Sequence, residues 1–444
     1  MCILKVNLNS MSAARGPAII RNLNRFDVLN TIRLHDNQIS RSELAEVTGL
    51  SQATISSIVS HLIKEGALVE EGSHPLAIRG RGRPLVSLRL APNYMHVAGV
   101  KIATHQIVVS LTDFTGDVLT SENISCEPLE FTASQLADFV AKAVRVCIKK
   151  AKMEFSDVSG VGVGLPGYVD CASGTVYWSP VFQSRNVEFG AMLSPKFDVP
   201  VFVENDANLV TLAEHWFGLA KGLKHVSVIT IEHGTGSGLI INGNLFRGAR
   251  GMGAEFGHTK LVFDGPPCQC GQNGCMETHT AGFAILREAQ AVGFRIPAKK
   301  LDYHARLDLL RKVVERAENG DQRYLKIFQQ MGQYLGIGIA NLVNLINPER
   351  VVVCEGAVTC SHLYGESLRS TIRDMVIAPL RDNFDLMIHH WGDEVWARGA
   401  ASLVLQELDQ RDTPVRQIMP KAAKRRRKPR KPSAKRERIR REPL

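Results

Sequence analysis

Four residues that bind transition metals well lie close together near the middle of the chain. His258 precedes three cysteines in the pattern H-x9-C-x-C-x4-C. Three thiolates and one imidazole are a typical ligand set for tetrahedral zinc, and four protein ligands leave no open coordination position. The alternative, unpaired core cysteines beside a free histidine, is disfavoured by the compact spacing. The sequence therefore predicts one structural zinc ion per chain, held by His258, Cys268, Cys270 and Cys275.

A second group of residues suits contact with DNA. Near the N-terminus, two short predicted helices are joined by a tight turn at Thr48-Gly49-Leu50, and Ser51 is a natural N-cap for the second helix. One face of that helix is apolar, and the other carries small polar side chains that can reach base edges in the major groove. The expected DNA-contacting residues of this helix are Ser51, Gln52, Ala53, Thr54, Ser56 and Ser57.

The segment after this helix has the composition of a wing. Predicted strands begin at Leu68 and Leu85, and between them arginine alternates with glycine. Such a loop cannot form a core, but it can place guanidinium groups in a narrow minor groove. A generic three-helix module with a flexible basic loop is the alternative, and the order of turn, capped helix and arginine loop favours DNA binding. Arg79, Arg81 and Arg83 are the expected contacts of the wing.

The elements that position these residues belong to a chain of 444 residues, which is long enough for two or three domains. Apolar residues make up 44% and charged residues 22%, as in an ordinary soluble protein. Apolar runs of membrane-spanning length are absent, and the N-terminus does not resemble a secretory signal. We therefore expect a cytoplasmic protein without membrane contacts. In a reducing compartment the clustered cysteines indicate a metal site rather than disulfides.

The net charge of +10 is concentrated at the C-terminus. Residues 421–444 contain thirteen Lys or Arg and two Glu, so the rest of the chain is close to neutral. Such a run is usually a solvated, disordered extension, and the second interpretation is non-specific contact with nucleic-acid phosphates.

Three longer motifs resemble the ROK family, which groups repressors, uncharacterised reading frames and sugar kinases. They are GVGVGLPGYVD (160–170), VENDANLVTLAEHWFG (203–218) and HGTGSGLIINGNLFRGARGMGAEFGH (233–258), the last of which runs into the zinc pattern. The resemblance extends from residue 20 to about residue 408. It implies an α/β fold: an actin-like, hexokinase-type domain of two lobes with a cleft between them, preceded by an all-α winged helix-turn-helix domain. The sequence pattern agrees, with strands predicted at 96–103, 107–113, 158–164, 200–204, 226–232 and 350–354 and helices at 132–150, 206–218, 321–345 and 362–377.

These observations define an expected domain organisation. We expect a flexible N-terminus (1–18), a winged helix-turn-helix domain (19–92), a ROK domain with the zinc site (93–410) and a basic disordered tail (411–444).

The resemblance also implies a sugar-binding site. A sugar is a ring of hydroxyls, so its pocket needs carboxylates, amides and imidazoles with fixed directions. In ROK kinases Asp206 would be the general base, although a plain helix-capping role is the alternative for that residue. The positions that match the hydroxyl-binding residues of those kinases are Asn205, Asp206, Glu255, His258 and Glu277.

The nucleotide-binding motifs depart from the kinase pattern. Lys101 stands where the kinases have an aspartate, and the segment from Ala103 to His105 replaces Gly-Gly-Thr. Added side chains would occupy the place where backbone N–H groups cradle phosphate, and the ammonium removes a metal partner. Glu355 replaces a glycine on the adenosine side, and Met252 replaces an amide in the sugar segment, although the turn Gly234–Gly238 is intact.

The expected function is therefore regulation rather than catalysis. We predict a DNA-binding regulator of carbohydrate-metabolism genes, most simply a repressor, which binds an operator as a homodimer or homotetramer and responds to a sugar or sugar derivative. One alternative is an ATP-dependent hexose or N-acetylhexosamine kinase with an attached DNA-binding domain. Another is a cleft that binds a partner protein.

Overall fold

The computed structural model describes residues 17–73, 86–298, 301–390, 392 and 394–409. The predicted flexible N-terminus, apart from Pro17 and Ala18, and the basic tail lie outside these residues, and so does the arginine loop with Arg79, Arg81 and Arg83. Within the described part of the chain, none of the helices is long and apolar enough to cross a membrane.

The N-terminal part, called here the head, contains three helices and a small sheet. Gly49 lies between the second and third helices with a φ of 70°, a conformation that glycine adopts at little cost. Ser40 caps the second helix in a capping box with Glu43, and Ser51 caps the third helix by accepting from the Thr54 N–H. The predicted turn and N-cap are thus confirmed. The elements are α1 (Pro17–Leu34), β1 (Ile39–Ser40), α2 (Arg41–Thr48), α3 (Gln52–Glu65), β2 (Leu68–Ser73) and β3 (Val86–Leu90), with antiparallel strand order β1-β3-β2.

The remainder, called here the sensor, has two lobes, each built on a five-stranded sheet. In the first lobe the strand order is β10-β7-β4-β5-β6, with β4, β7 and β10 parallel. The elements of this half are β4 (His96–Ile102), β5 (Gln106–Thr112), β6 (Val118–Ser125), α4 (Ala133–Lys150), β7 (Val158–Leu165), β8 (Tyr168–Asp170), β9 (Thr175–Trp178), α5 (Phe189–Leu193), β10 (Val201–Asn205) and α6 (Asp206–Phe217).

The second lobe repeats this arrangement. Its strand order is β13-β12-β11-β14-β15, with β11, β14 and β15 parallel, which confirms the predicted two-lobed α/β architecture. The elements are β11 (Val226–Ile231), β12 (Thr235–Ile241), β13 (Asn244–Leu245), α7 (Glu277–Thr280), α8 (Gly282–Ala291), α9 (Tyr303–Glu318), α10 (Gln322–Ile346), β14 (Arg350–Glu355), α11 (Ser361–Met375), β15 (Asp385–His390) and α12 (Glu394–Asp409).

Helix α12 returns from the second lobe and packs on the sheet of the first. At Gly99 and Gly162 an added Cβ would lie 1.8 Å from the Ala397 carbonyl oxygen and 2.2 Å from that of Ala400, so only glycine allows this approach. Gly399 is equally close to α6, where its Cβ would lie 2.0 Å from the Leu209 carbonyl oxygen. Helices α6 and α12 therefore form a tightly packed pair.

The head and the sensor share one continuous hydrophobic core. Beside this core the Arg33 guanidinium of α1 is paired with the Asp409 carboxylate of α12 at 3.1 Å, and their side chains are only 1% and 2% exposed. The guanidinium also lies 4.8 Å from the ring centroid of Phe114 and 4.7 Å from that of Trp216. At the edge, Lys221 pairs with Asp36. This arrangement, called here the joint, fixes the head on the sensor.

Candidate ligand cleft, metal cluster and DNA face

The cleft between the lobes collects all five residues expected to bind a sugar. Asn205, Asp206, Glu255, His258 and Glu277 line the same cavity. The side chain of Asn205 accepts from the N–H groups of Ala207 and Asn208 at 2.9 and 3.2 Å, and it donates to the Gly167 carbonyl at 2.9 Å. Asn205, rather than Asp206, is therefore the N-cap of α6, and the Asp206 carboxylate stands on the first turn of a helix at the cleft wall.

Two carboxyl groups of the cleft have pKa values raised toward neutral pH. Burial raises the pKa of Asp206 to about 6, with Lys101 opposing the shift and Glu232 adding to it. Burial also raises the pKa of Glu255 to about 7, and the neighbouring carboxylates of Asp206 and Glu277 contribute. Near neutrality these carboxyl groups can accept hydrogen bonds, and the protonated fraction can donate them. Such a set suits the hydroxyls of a sugar.

Aromatic side chains form part of the cleft wall and were missed in the sequence. Tyr168 and Trp178 come from the β8–β9 hairpin, with ring centroids 5.6 Å apart, and Trp396 comes from α12. Their faces offer apolar contact area beside the polar groups. Spacing alone does not reveal this wall, because Tyr168 and Trp178 stand ten residues apart and Trp396 is remote in the chain.

Other side chains of the cleft pack around Lys101. Its ammonium nitrogen is 3.8 Å from a Glu232 carboxylate oxygen and 3.5 Å from the ring centroid of Trp396. His105 stacks on Tyr303 with centroids 3.3 Å apart, and the Tyr303 hydroxyl donates to Glu232 at 3.0 Å. The departures from the kinase pattern at Lys101 and His105 thus belong to one cluster, called here the plug.

The predicted zinc ligands come together in a compact cluster. One ligand atom from each of His258, Cys268, Cys270 and Cys275 lies within 4.8 Å of the others. The Cys270 and Cys275 sulfurs are 3.7 Å apart, and the Cys268 sulfur is 3.5 Å from His258 Nδ1. Ordinary zinc–ligand lengths in a tetrahedron give edges of about 3.8 Å between sulfurs and about 3.6 Å between sulfur and nitrogen. The cluster therefore fits a metal ion of this coordination.

The metal cluster borders the cleft. His258 Nδ1 faces the cysteines, whereas Nε2 points toward Glu255, with a nitrogen–oxygen distance of 4.0 Å. Glu277 Oε1 lies 3.6 Å from His258 Nδ1 and accepts from the Cys268 thiol at 2.9 Å. An ion held here would orient the imidazole and, through it, the carboxylates of the cleft.

The polar face of α3 lies on the surface of the head. Gln52, Ala53, Ser56 and Ser57 are exposed, while the apolar face of the helix is buried. Ser51 is also exposed, but its hydroxyl serves as the N-cap and lies 2.9 Å from the Thr54 hydroxyl. Gln52, Ser56 and Ser57 therefore present polar side chains at the surface of the head.

A two-lobed, hexokinase-like sensor with an N-terminal winged helix-turn-helix head defines the class of this protein. The ROK family profile matches residues 97–407, and the MarR family profile matches residues 22–75. The chain belongs to the ROK family.

Relatives of known name cover almost the whole chain. The xylose repressor of Caldicellulosiruptor bescii is 29% identical over 395 residues, which are 88% of this chain and 97% of that protein. The N-acetylglucosamine repressor of Escherichia coli is 29% identical over 382 residues, 84% of this chain and 91% of that protein. A crystal structure of a ROK family transcriptional regulator, a homologue of the E. coli MLC protein, superposes with a TM-score of 0.72 at 24% identity. It covers 90% of this chain and 99% of its own, and it supports the fold.

Proposed function

We propose that this protein is a sequence-specific transcriptional regulator, a repressor of carbohydrate-metabolism genes, whose affinity for its operator changes when a sugar binds in the cleft. One observation carries the proposal: the sensor, whose cleft has side chains suited to sugar hydroxyls, shares a continuous hydrophobic core with a head of the type that binds DNA. The names of the two repressor relatives, which span nearly their full lengths, support it.

A structural route connects the two sites. Helix α6 begins at Asp206 in the cleft and ends beside Trp216, which contacts Arg33. Helix α12 carries Trp396 of the cleft near its start and ends at Asp409, the partner of Arg33. Because the two helices pack tightly, a sugar that changes the closure of the lobes would move them together and rotate the head.

The required energy is modest. A coupling free energy of about 1–3 kcal/mol between the sites changes operator affinity by roughly 5–150-fold. A symmetric oligomer multiplies the effect, because two recognition helices must enter successive major grooves about 34 Å apart. We therefore propose that the protein acts as a homodimer or homotetramer, in the cytoplasm, with Ser51, Gln52, Ala53, Thr54, Ser56 and Ser57 and the wing arginines Arg79, Arg81 and Arg83 at the DNA.

Zinc is the proposed metal of the cluster. Three thiolates and one imidazole match its preference, and one ion per chain would be held by His258, Cys268, Cys270 and Cys275. With four protein ligands the ion would be structural, and its role would be to stabilise the loop that carries His258 at the edge of the cleft.

The plug argues against the rival function, a sugar kinase. In kinases the phosphate end of the cleft holds nucleotide phosphates and their magnesium. Here we infer that the Lys101 ammonium and the Glu232 carboxylate occupy that end, with the His105–Tyr303 stack beside them. An ATP turnover assay across hexoses and N-acetylhexosamines tests this point, and turnover above background would favour the kinase.

Selection of operator sequences tests the proposal itself. The full chain is incubated with a pool of random duplexes and carried through repeated rounds of capture, with and without a mixture of monosaccharides. We expect enrichment of a near-palindromic site in one condition and its loss in the other. Equal enrichment in both conditions would contradict sugar sensing, and the absence of any enriched site would contradict DNA recognition.

A further inference from the structure

Most of the charged side chains that line the cleft are acidic. Lys101 is the only Lys or Arg among the described residues that line it. Its ammonium is already balanced by Glu232 at 3.8 Å and covered by the Trp396 ring. The carboxylates of the lining are Asp206, Glu232, Glu255 and Glu277.

This arrangement treats a sugar and its phosphate ester very differently. A hydroxyl donates to a carboxylate, so each acidic side chain is a potential partner for an uncharged sugar. A phosphate ester instead carries a charge of about −1.5 to −2 near pH 7 and needs donors such as arginine or backbone N–H groups. At the turn after β11 the backbone N–H of Glu232 already donates to the Gly234 carbonyl at 2.9 Å, so this donor is engaged within the protein. The Glu232 carboxylate lies at the same turn.

The aromatic wall adds an independent indication. Tyr168 and Trp178 line the cleft, with their ring centroids 5.6 Å apart. Aromatic faces pack well against the C–H groups of a sugar ring, and this contact gives no advantage to an anionic substituent.

We infer that the effector is an uncharged monosaccharide and that the cleft discriminates against its phosphate ester. This inference rests on the proposed function, because it names the class of ligand that the sensor takes. The discriminating groups are the carboxylates of Asp206 and Glu232, and the Lys101 ammonium is already ion-paired with Glu232.

Titration calorimetry on the full-length protein tests the inference. Xylose, glucose and N-acetylglucosamine are each compared with their own phosphate ester near neutral pH. We expect at least one uncharged sugar to bind, with an affinity more than tenfold above that of its ester. An ester that binds as tightly as its sugar, or more tightly, would overturn the inference and leave the proposed function standing. If no compound of either kind bound, the proposed function itself would be contradicted.

A pair of variants locates the discrimination. Glu232→Gln removes one carboxylate and frees the charge of Lys101, so the affinity ratio of sugar to ester should fall at least threefold. Glu232→Asp keeps the charge and should preserve most of the ratio. Glu315→Gln, on the exposed face of α9, is the matched control and should leave the ratio unchanged. An unchanged ratio in Glu232→Gln, in protein with a normal melting temperature, would overturn the role of this carboxylate.

Discussion

The buried ion pair in the joint between head and sensor can be tested through the free energy of unfolding of its variants. Burial raises the pKa of Asp409 and lowers that of Arg33, so each charge is costly where it stands and is tolerated because of the other. Removing one partner from a buried pair costs about 3–5 kcal/mol, whereas replacing both by apolar residues of similar volume is often nearly neutral. We therefore expect Asp409→Leu and Arg33→Met each to destabilise the protein by about 3–5 kcal/mol, and the double variant to recover most of that loss.

Urea unfolding followed by tryptophan fluorescence measures these changes, because the Trp216 ring lies 4.7 Å from the guanidinium. All three variants keep the lining of the cleft intact, because neither Arg33 nor Asp409 belongs to it. Single variants that each cost under about 1 kcal/mol, or losses that simply add in the double variant, would refute the reasoning.

Three further predictions concern the metal, the DNA face and pH. Cys270→Ser should lose the metal, as measured by elemental analysis, and should weaken sugar binding more than operator binding. The control Cys126→Ser, far from the cluster in sequence, should do neither. Full metal content in Cys270→Ser would contradict the prediction. Gln52→Ala should weaken operator binding by about 1–3 kcal/mol, as measured by fluorescence anisotropy. Gln322→Ala, on the exposed surface of the sensor, is the control and should bind the operator like the wild type. Equal operator affinities of the two variants would contradict the prediction. Sugar affinity should fall as pH drops through about 6, by up to about tenfold per pH unit, because the protonated Asp206 carboxyl loses an acceptor. Calorimetry on Asp206→Asn should show a shallower fall with pH. A pH profile identical to that of the wild type would contradict the prediction.

Much of the fold could be predicted because its signals are local. Ser51 and Gly49 mark a helix start and a turn through short-range backbone chemistry, and the structure agrees at both positions. The predicted strand at 226–232 and the helix at 206–218 fall within one residue of β11 and α6. Such elements are specified by apolar periodicity and by caps, which any window of sequence contains.

The parts that escaped prediction depend on contacts between distant segments. The joint links Arg33 to Asp409, 376 positions away, and the predicted elements did not include α12 at all. Of the residues of the plug, the sequence pattern indicates only Lys101 and His105. Glu232, Tyr303 and Trp396 join them through the packing of the two lobes. The zinc ligands and the five cleft residues were reached by spacing and by family resemblance, and the structure brings each set together.

Operator binding as a function of sugar concentration shows whether the cleft controls the DNA-binding head. The full-length protein is bound to its selected, fluorescently labelled operator, and anisotropy is followed while each monosaccharide is added. We predict that one uncharged sugar shifts operator affinity by about 5–150-fold and that Asp206→Asn weakens the response. Operator binding that stays unchanged by a sugar proven by calorimetry to occupy the cleft would contradict this prediction.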